Sequence, residues 1–172
     1  RASHDPKRLR GIMTFGNNLA TQIQELMIWY AVDLMMNQDA SLYLDTRNLR
    51  RWLLENATGW SVLNTFAYTG SLGVAALAGG AARVVQVDRS RKFLSLAQQT
   101  CALNPKLLAT KLLPVASSCV AGCKMELHAI DFFSAVAGFK RSGSLFDCAI
   151  ADPPFFSTTE KGTVNLLNES VR

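Results

Sequence analysis

Val62-Leu63-Asn64-Thr65-Phe66-Ala67-Tyr68-Thr69-Gly70-Ser71-Leu72-Gly73 is the stretch that decides the fold. A short apolar run passes into a small polar turn containing a glycine, and then into SLGVAALAGG (71–80), a small-residue helix closed by its own glycines. The same unit recurs downstream. ARVVQVD (82–88) reads as a buried strand followed by a helix over RSRKFLSLAQQTCALN (89–104). MELHAID (125–131) is a third strand, FFSAVAGFKR (132–141) a third helix, and LFDCAIAD (145–152) a fourth strand that runs into Pro153-Pro154. Strands alternating with helices at this spacing predict an α/β fold with a parallel sheet and right-handed crossovers. The segment between Asn104 and Lys124 is long for a connection and fits no element.

Upstream of this stretch the pattern is different. Residues 1–16, with Lys7, Arg8 and Arg10, read as a solvated basic arm. Leu19, Ile23 and Met27 have helical spacing, which predicts a helix over Asn17–Met27. IWYAVDLMM (28–36) and SLYLD (41–45) then predict a hairpin about the turn NQDA (37–40). A linking helix follows over TRNLRRWLLEN (46–56), capped by Asp45 or Thr46, with Leu49, Trp52 and Leu53 facing inward. Three regions result: the arm at 1–16, a helix, hairpin and linking helix at 17–58, and a ligand-binding α/β domain at 59–172.

Composition narrows the function classes. Hydrophobic residues are 49% and charged residues 18% of the 172, which excludes a disordered or coiled-coil chain. Eighteen basic against thirteen acidic residues give +5, compatible with a polyanionic partner. No secretory leader is visible, and a cytoplasmic, reducing setting suits the four scattered cysteines. Cys119 and Cys123 stand near His128 but form no zinc pattern, so no metal is expected. Between Asn56 and Ala82 there is no charged residue. The glycines and amides inside that span argue for a buried strand, turn and helix rather than a membrane helix.

In an open parallel sheet a ligand sits beyond the carboxyl ends of the strands. Gly70 can take backbone angles closed to other residues and would let a ligand come near the main chain. Asp88 ends the second strand, where a carboxylate can accept both hydroxyls of a ribose. Asp131 ends the third strand beside Phe132, and Asp152 ends the fourth at the start of Asp-Pro-Pro-Phe-Phe. Any one such aspartate is as readily a helix cap. A polar group at four successive strand ends points to a site. Tyr68 stands where a dinucleotide fingerprint needs its first glycine, which disfavours a dehydrogenase.

The set NTFAYTG…VVQVD…AIDFF…IADPPFF resembles the signature of class I S-adenosylmethionine-dependent methyltransferases. More narrowly, YLDTRNLR joined to VLNTFAYTGSLGVAALAGGA is similar to the large-subunit ribosomal RNA methyltransferases that act on cytosine C5. The resemblance implies a Rossmann-like core, incomplete at about four strands, preceded by the hairpin and helix. That fold normally has about seven strands, so the chain is expected to be the cofactor-binding part of a larger enzyme.

The resemblance also implies roles. Asn64, Phe66, Ala67, Tyr68, Thr69 and Gly70 would cradle the methionine part of S-adenosylmethionine. Asp88, with Arg89, would take the ribose, and Asp131, with Phe132, the adenine. Asp152 would serve the methionine end or the target base, with Pro153 and Phe155 completing the catalytic motif. Arg47, Arg50 and Arg51 are candidates for RNA phosphates. A cytosine C5 target needs an added cysteine nucleophile. The alternatives are methylation of an exocyclic amine, for which DPPFF also suits, and a non-catalytic RNA-binding module that keeps the fold.

Overall fold

The structure is a computed structural model that describes residues 12–36, 40–105 and 125–153, and the backbone of 156–159 and 162–165. Four parallel strands form the central sheet: β3 (Ser61–Thr65), β4 (Arg83–Asp88), β5 (Met125–Ala129) and β6 (Cys148–Ala151). Their order is β5-β4-β3-β6. The chain moves outward from β3 to β5 and then returns to the other side of β3, so the order reverses between β3 and β6. A crevice at the carboxyl ends is the geometric consequence.

Alternate side chains of the strands feed two apolar layers. Val62 and Val84 point to the layer that holds α2 (Ser71–Ala78) and α3 (Arg91–Leu103). Leu63, Val85 and Val87 point to α4 (Phe132–Ser142), through Ala135 and Phe139. Leu72 through Ala78 of α2 are all buried, because α1 (Arg47–Asn56) covers the side of α2 that the sheet does not. A Cβ on Gly79 would lie 2.5 Å from the Leu53 carbonyl oxygen, so the α1–α2 crossing is close enough to require glycine there. No helix among the described residues is long and apolar enough to cross a membrane.

The four core strands and their helices fall where the alternation predicts. The N-terminal part does not. In place of a helix over Asn17–Met27, β1 (Gln22–Glu25) pairs antiparallel with β2 (Ile28–Ala31) through a two-residue turn. Leu26 and Met27 in that turn have φ of 51° and 67°, the twist a tight hairpin requires. Side-chain burial along β1 alternates, a period of two that Leu19, Ile23 and Met27 obscure. SLYLD is no strand: Ser41 turns back, accepting a hydrogen bond from Asp33 N at 2.8 Å and donating to Asp33 O at 2.7 Å. The expected NQDA turn falls largely outside the described residues.

The true hairpin is fixed by α3. Thr100 Oγ1 accepts from Ala31 N at 2.9 Å, and Asn104 accepts from Trp29 N and donates to Trp29 O. These side chains close the outer edge of β2. A second antiparallel pair, β7 (Phe156–Thr159) with β8 (Gly162–Asn165), follows β6.

On α1 the inward face also differs from expectation. Leu53 is buried, but Leu49 and Trp52 are exposed, and Arg50 is fully buried. Its Nε and one terminal nitrogen donate to the two oxygens of Glu25 at 2.7 and 3.0 Å. The other terminal nitrogen donates to Tyr43 O and Thr46 Oγ1. Thr46 precedes the helix without a side-chain cap; its hydroxyl donates to Tyr43 O instead.

Candidate active site

The turn after β3 is held from below. Ala67 N donates to Val87 O at 2.9 Å, and Gly70 N to Ala67 O at 2.8 Å. Phe66 and Tyr68 take φ of 53° and 51°, and Gly70 takes 76°. Non-glycine residues in this region carry strain that the surroundings must hold in place. The glycine is needed for two reasons, its positive φ and its packing. A Cβ on Gly70 would meet Ala97 at 2.5 Å and Gln86 at 2.7 Å. The missing side chain of Gly70 therefore makes room for protein, not for a ligand as the sequence suggests.

Gln86 is the residue that sequence reasoning misses. It lies fully buried in the middle of β4, and a Cβ on Gly73 would also collide with it, at 2.6 Å. Its amide accepts from Asn64 Nδ2 at 3.0 Å and donates to Met125 Sδ at 2.9 Å. The available signal is a lone polar residue inside the apolar run RVVQVD. Asn64, expected at the cofactor, is instead buried and points its amide at Gln86. Thr69 is likewise buried and donates to Ser41 O at 2.7 Å, stitching the turn to the segment before α1.

Asp88 sits where the sequence places it. One carboxylate oxygen accepts from Tyr68 N at 2.9 Å, the other from Ser90 N at 2.8 Å. Each oxygen keeps capacity for a further donor, so a vicinal diol fits the pair. Burial pushes the carboxyl above the ordinary aspartate value; the backbone amides of Ser90, Tyr68 and Arg89 and the Arg89 charge pull the other way. Arg89 itself is exposed.

Asp131 is half-buried and caps α4, one oxygen accepting from Phe133 N at 2.9 Å. Phe132 stacks on Phe66 with ring centroids 4.9 Å apart, joining the ends of β3 and β5 in one apolar wall. Tyr68 packs between Tyr43, at 5.3 Å, and Phe93, at 4.7 Å. Asp152 is exposed just beyond β6 and Pro153 is half-buried. Phe155, like Cys119 and Cys123, lies outside the described residues. Arg47 and Arg51 are exposed on α1, whereas Arg50, saturated by Glu25, Tyr43 and Thr46, is structural and not a phosphate ligand.

The donor set suits S-adenosylmethionine. Asp88 matches a ribose diol, the Phe66–Phe132 wall an apolar ring, and the start of α2, which no side chain caps, a carboxylate.

A parallel sheet with this order, an acidic second strand end and a tight turn after the first strand together define a class I methyltransferase core. The sequence model of the S-adenosylmethionine-dependent methyltransferases matches residues 14–170, so the chain belongs to that family. It is 34% identical over 125 residues to the ribosomal RNA large subunit methyltransferase I of Yersinia pseudotuberculosis and of Yersinia pestis. That match covers 73% of this chain and 28% of the relative, so the chain spans little more than a quarter of the length of these curated proteins. A methyltransferase solved in complex with SAH superimposes with a TM-score of 0.74 at 27% identity, over 90% of this chain and 38% of that one. A SAM-dependent methyltransferase from Agrobacterium tumefaciens gives 0.73 at 22% identity, over 95% and 50%, a likeness of fold.

Proposed function

We propose that the protein is an S-adenosylmethionine-dependent methyltransferase that modifies a base in RNA, as the names of its ribosomal RNA relatives suggest. The observation that carries this reading is Asp88, a half-buried carboxylate held by the Tyr68 and Ser90 amides at the carboxyl edge of the sheet. When bound, S-adenosylmethionine supplies a methyl group on a positively charged sulfur. The chain's own residues bind and orient it. Asp88 takes the ribose hydroxyls, Asp131 and the Phe66–Phe132 wall take the adenine, and the 66–70 turn with the start of α2 takes the methionine end. Asp152 and Pro153, on the other side of the order reversal, face the target.

The target atom we infer is cytosine C5, following the resemblance to large-subunit ribosomal RNA methyltransferases. That chemistry needs a thiolate, and neither described cysteine suits the part. Cys101 is buried, and burial pushes the Cys148 thiol up within β6. The exposure of the Asp152 carboxylate, directly before Pro153, favours a second reading in which it accepts a proton of an exocyclic amine.

Calorimetric titration of the chain with S-adenosylmethionine tests the first claim; no heat at millimolar cofactor would overturn it. Incubating the protein with RNA and methyl-labelled cofactor, then digesting to nucleosides, tests the second. Label in 5-methylcytidine supports the C5 target, label in an N-methylated purine supports the amine, and no label in RNA rejects both.

A further inference from the structure

We propose that single-stranded RNA docks along a basic rim on the α1 and α3 side of the carboxyl edge, with Arg47, Arg91 and Lys92 on phosphates and Tyr43 under a base. This rests on the RNA reading above. Arg91 and Lys92 occupy the first turn of α3 and Arg47 the first turn of α1, and neither turn contains an acidic residue. Cations there oppose the partial positive charge of a helix start. Three of them, exposed on one edge, are a local electrostatic cost that the fold offsets only weakly.

Their internal pairings are loose: Lys92 to Asp33 at 4.0 Å and Arg47 to Glu25 at 3.8 Å, with side chains 62% and 56% exposed. Between the two helix starts runs the aromatic row Tyr43–Tyr68–Phe93, and Tyr43 is half exposed. Cations flanking a stacking surface are what a single strand requires, and the row leads directly to the 66–70 turn. Lys140 and Arg141 provide the contrast. They lie in the last turn of α4, at the opposite edge, where positive charge complements the helix. Their presence is explained by the fold.

The test measures the anisotropy of a fluorescein-labelled single-stranded oligoribonucleotide on the chain over a series of salt concentrations. Arg91→Gln with Lys92→Gln should weaken binding and flatten the log–log salt dependence by about 1.4, at ~0.7 per lost contact. Its Tm should be unchanged or higher. Lys140→Gln with Arg141→Gln should keep the parent slope. Tyr43→Ala should lose roughly 5- to 150-fold in affinity, and Tyr43→Phe should restore it.

An unchanged slope in the α3 pair, equal losses in both pairs, or no RNA binding by the parent would each overturn the proposal. Loss in the α3 pair without loss in Tyr43→Ala would assign the rim to polyanions in general and overturn the single-stranded RNA reading. Cofactor calorimetry on the same variants keeps the two readings apart. The paired α3 and α4 variants should bind S-adenosylmethionine like the unmodified chain, whereas an unmodified chain that binds none defeats the function proposed above.

Discussion

Gly70 and Asp88 carry the two sharpest consequences at the scale of single residues. Gly70→Ala would force a side chain into Ala97 and Gln86 at a positive φ, and neither neighbour is free to retreat from the core. It is expected to cost about 2–4 kcal/mol, combining backbone strain with overpacking, as read by urea unfolding. Asp88→Ala is expected to weaken S-adenosylmethionine binding by about 1–3 kcal/mol, measured by calorimetry. The same carboxyl sets a pH dependence. Its value is raised by burial, and the cofactor diol needs the ionised form, so cofactor affinity should begin to fall at a higher pH than an ordinary aspartate would dictate. Asp88→Asn should abolish that limb of the profile. Asp88 is legible in the sequence because a carboxylate directly ends an apolar strand. Asn64 is not, because alternation along a strand does not say which polar side chain turns to a buried neighbour and which to a ligand. Asp131 caps a helix and also stands at a strand end, two roles that one residue can combine.

At the scale of elements, two side-chain contacts decide how the N-terminal hairpin is attached. Arg50→Ala would leave Glu25 without its main partner under α1, with an expected cost of about 3–5 kcal/mol in thermal or urea unfolding. Thr100→Val keeps the shape but removes the acceptor for Ala31 N inside the core, at an expected ~1–3 kcal/mol. The repeated strand–turn–helix units are legible because each carries its own apolar run and its own stop. The hairpin is hidden for the opposite reason. Leu26-Met27 has none of the chemistry that normally marks a tight turn, and its twist is imposed by the pairing of β1 with β2. Arg50 is hidden with it, because a buried arginine is explained only by Glu25, on a strand the periodicity conceals.

For the whole molecule, a half-buried ion pair across the sheet ties stability to acid. Arg83 grips Glu126 across β4 and β5 at 2.8 and 3.1 Å, and that grip holds the Glu126 carboxyl below its usual value. An acid whose value is depressed on folding stabilises the native state above its unfolded value. That contribution is lost as pH falls through the depressed one. Thermal unfolding of the parent should therefore lose more stability on acidification than that of Glu126→Gln. Both groups of the pair are over a third exposed, so the difference should shrink in high salt. Asp88 runs the opposite way: its raised value means that protonation removes a cost of burial, so it does not add to the acid loss.

The clasp of α3 on β2 also imposes an order in time. Ala31 and Thr100 are 69 positions apart, and Trp29 and Asn104 are 75 apart. Their loop closes only after α3 presents both side chains on one helical face, a turn that the neighbouring strand–helix units can build through shorter-range contacts. The hairpin should thus lock on late in folding. Thr100→Val is then expected to speed unfolding while leaving the refolding rate nearly unchanged, a split that stopped-flow chevrons can read directly.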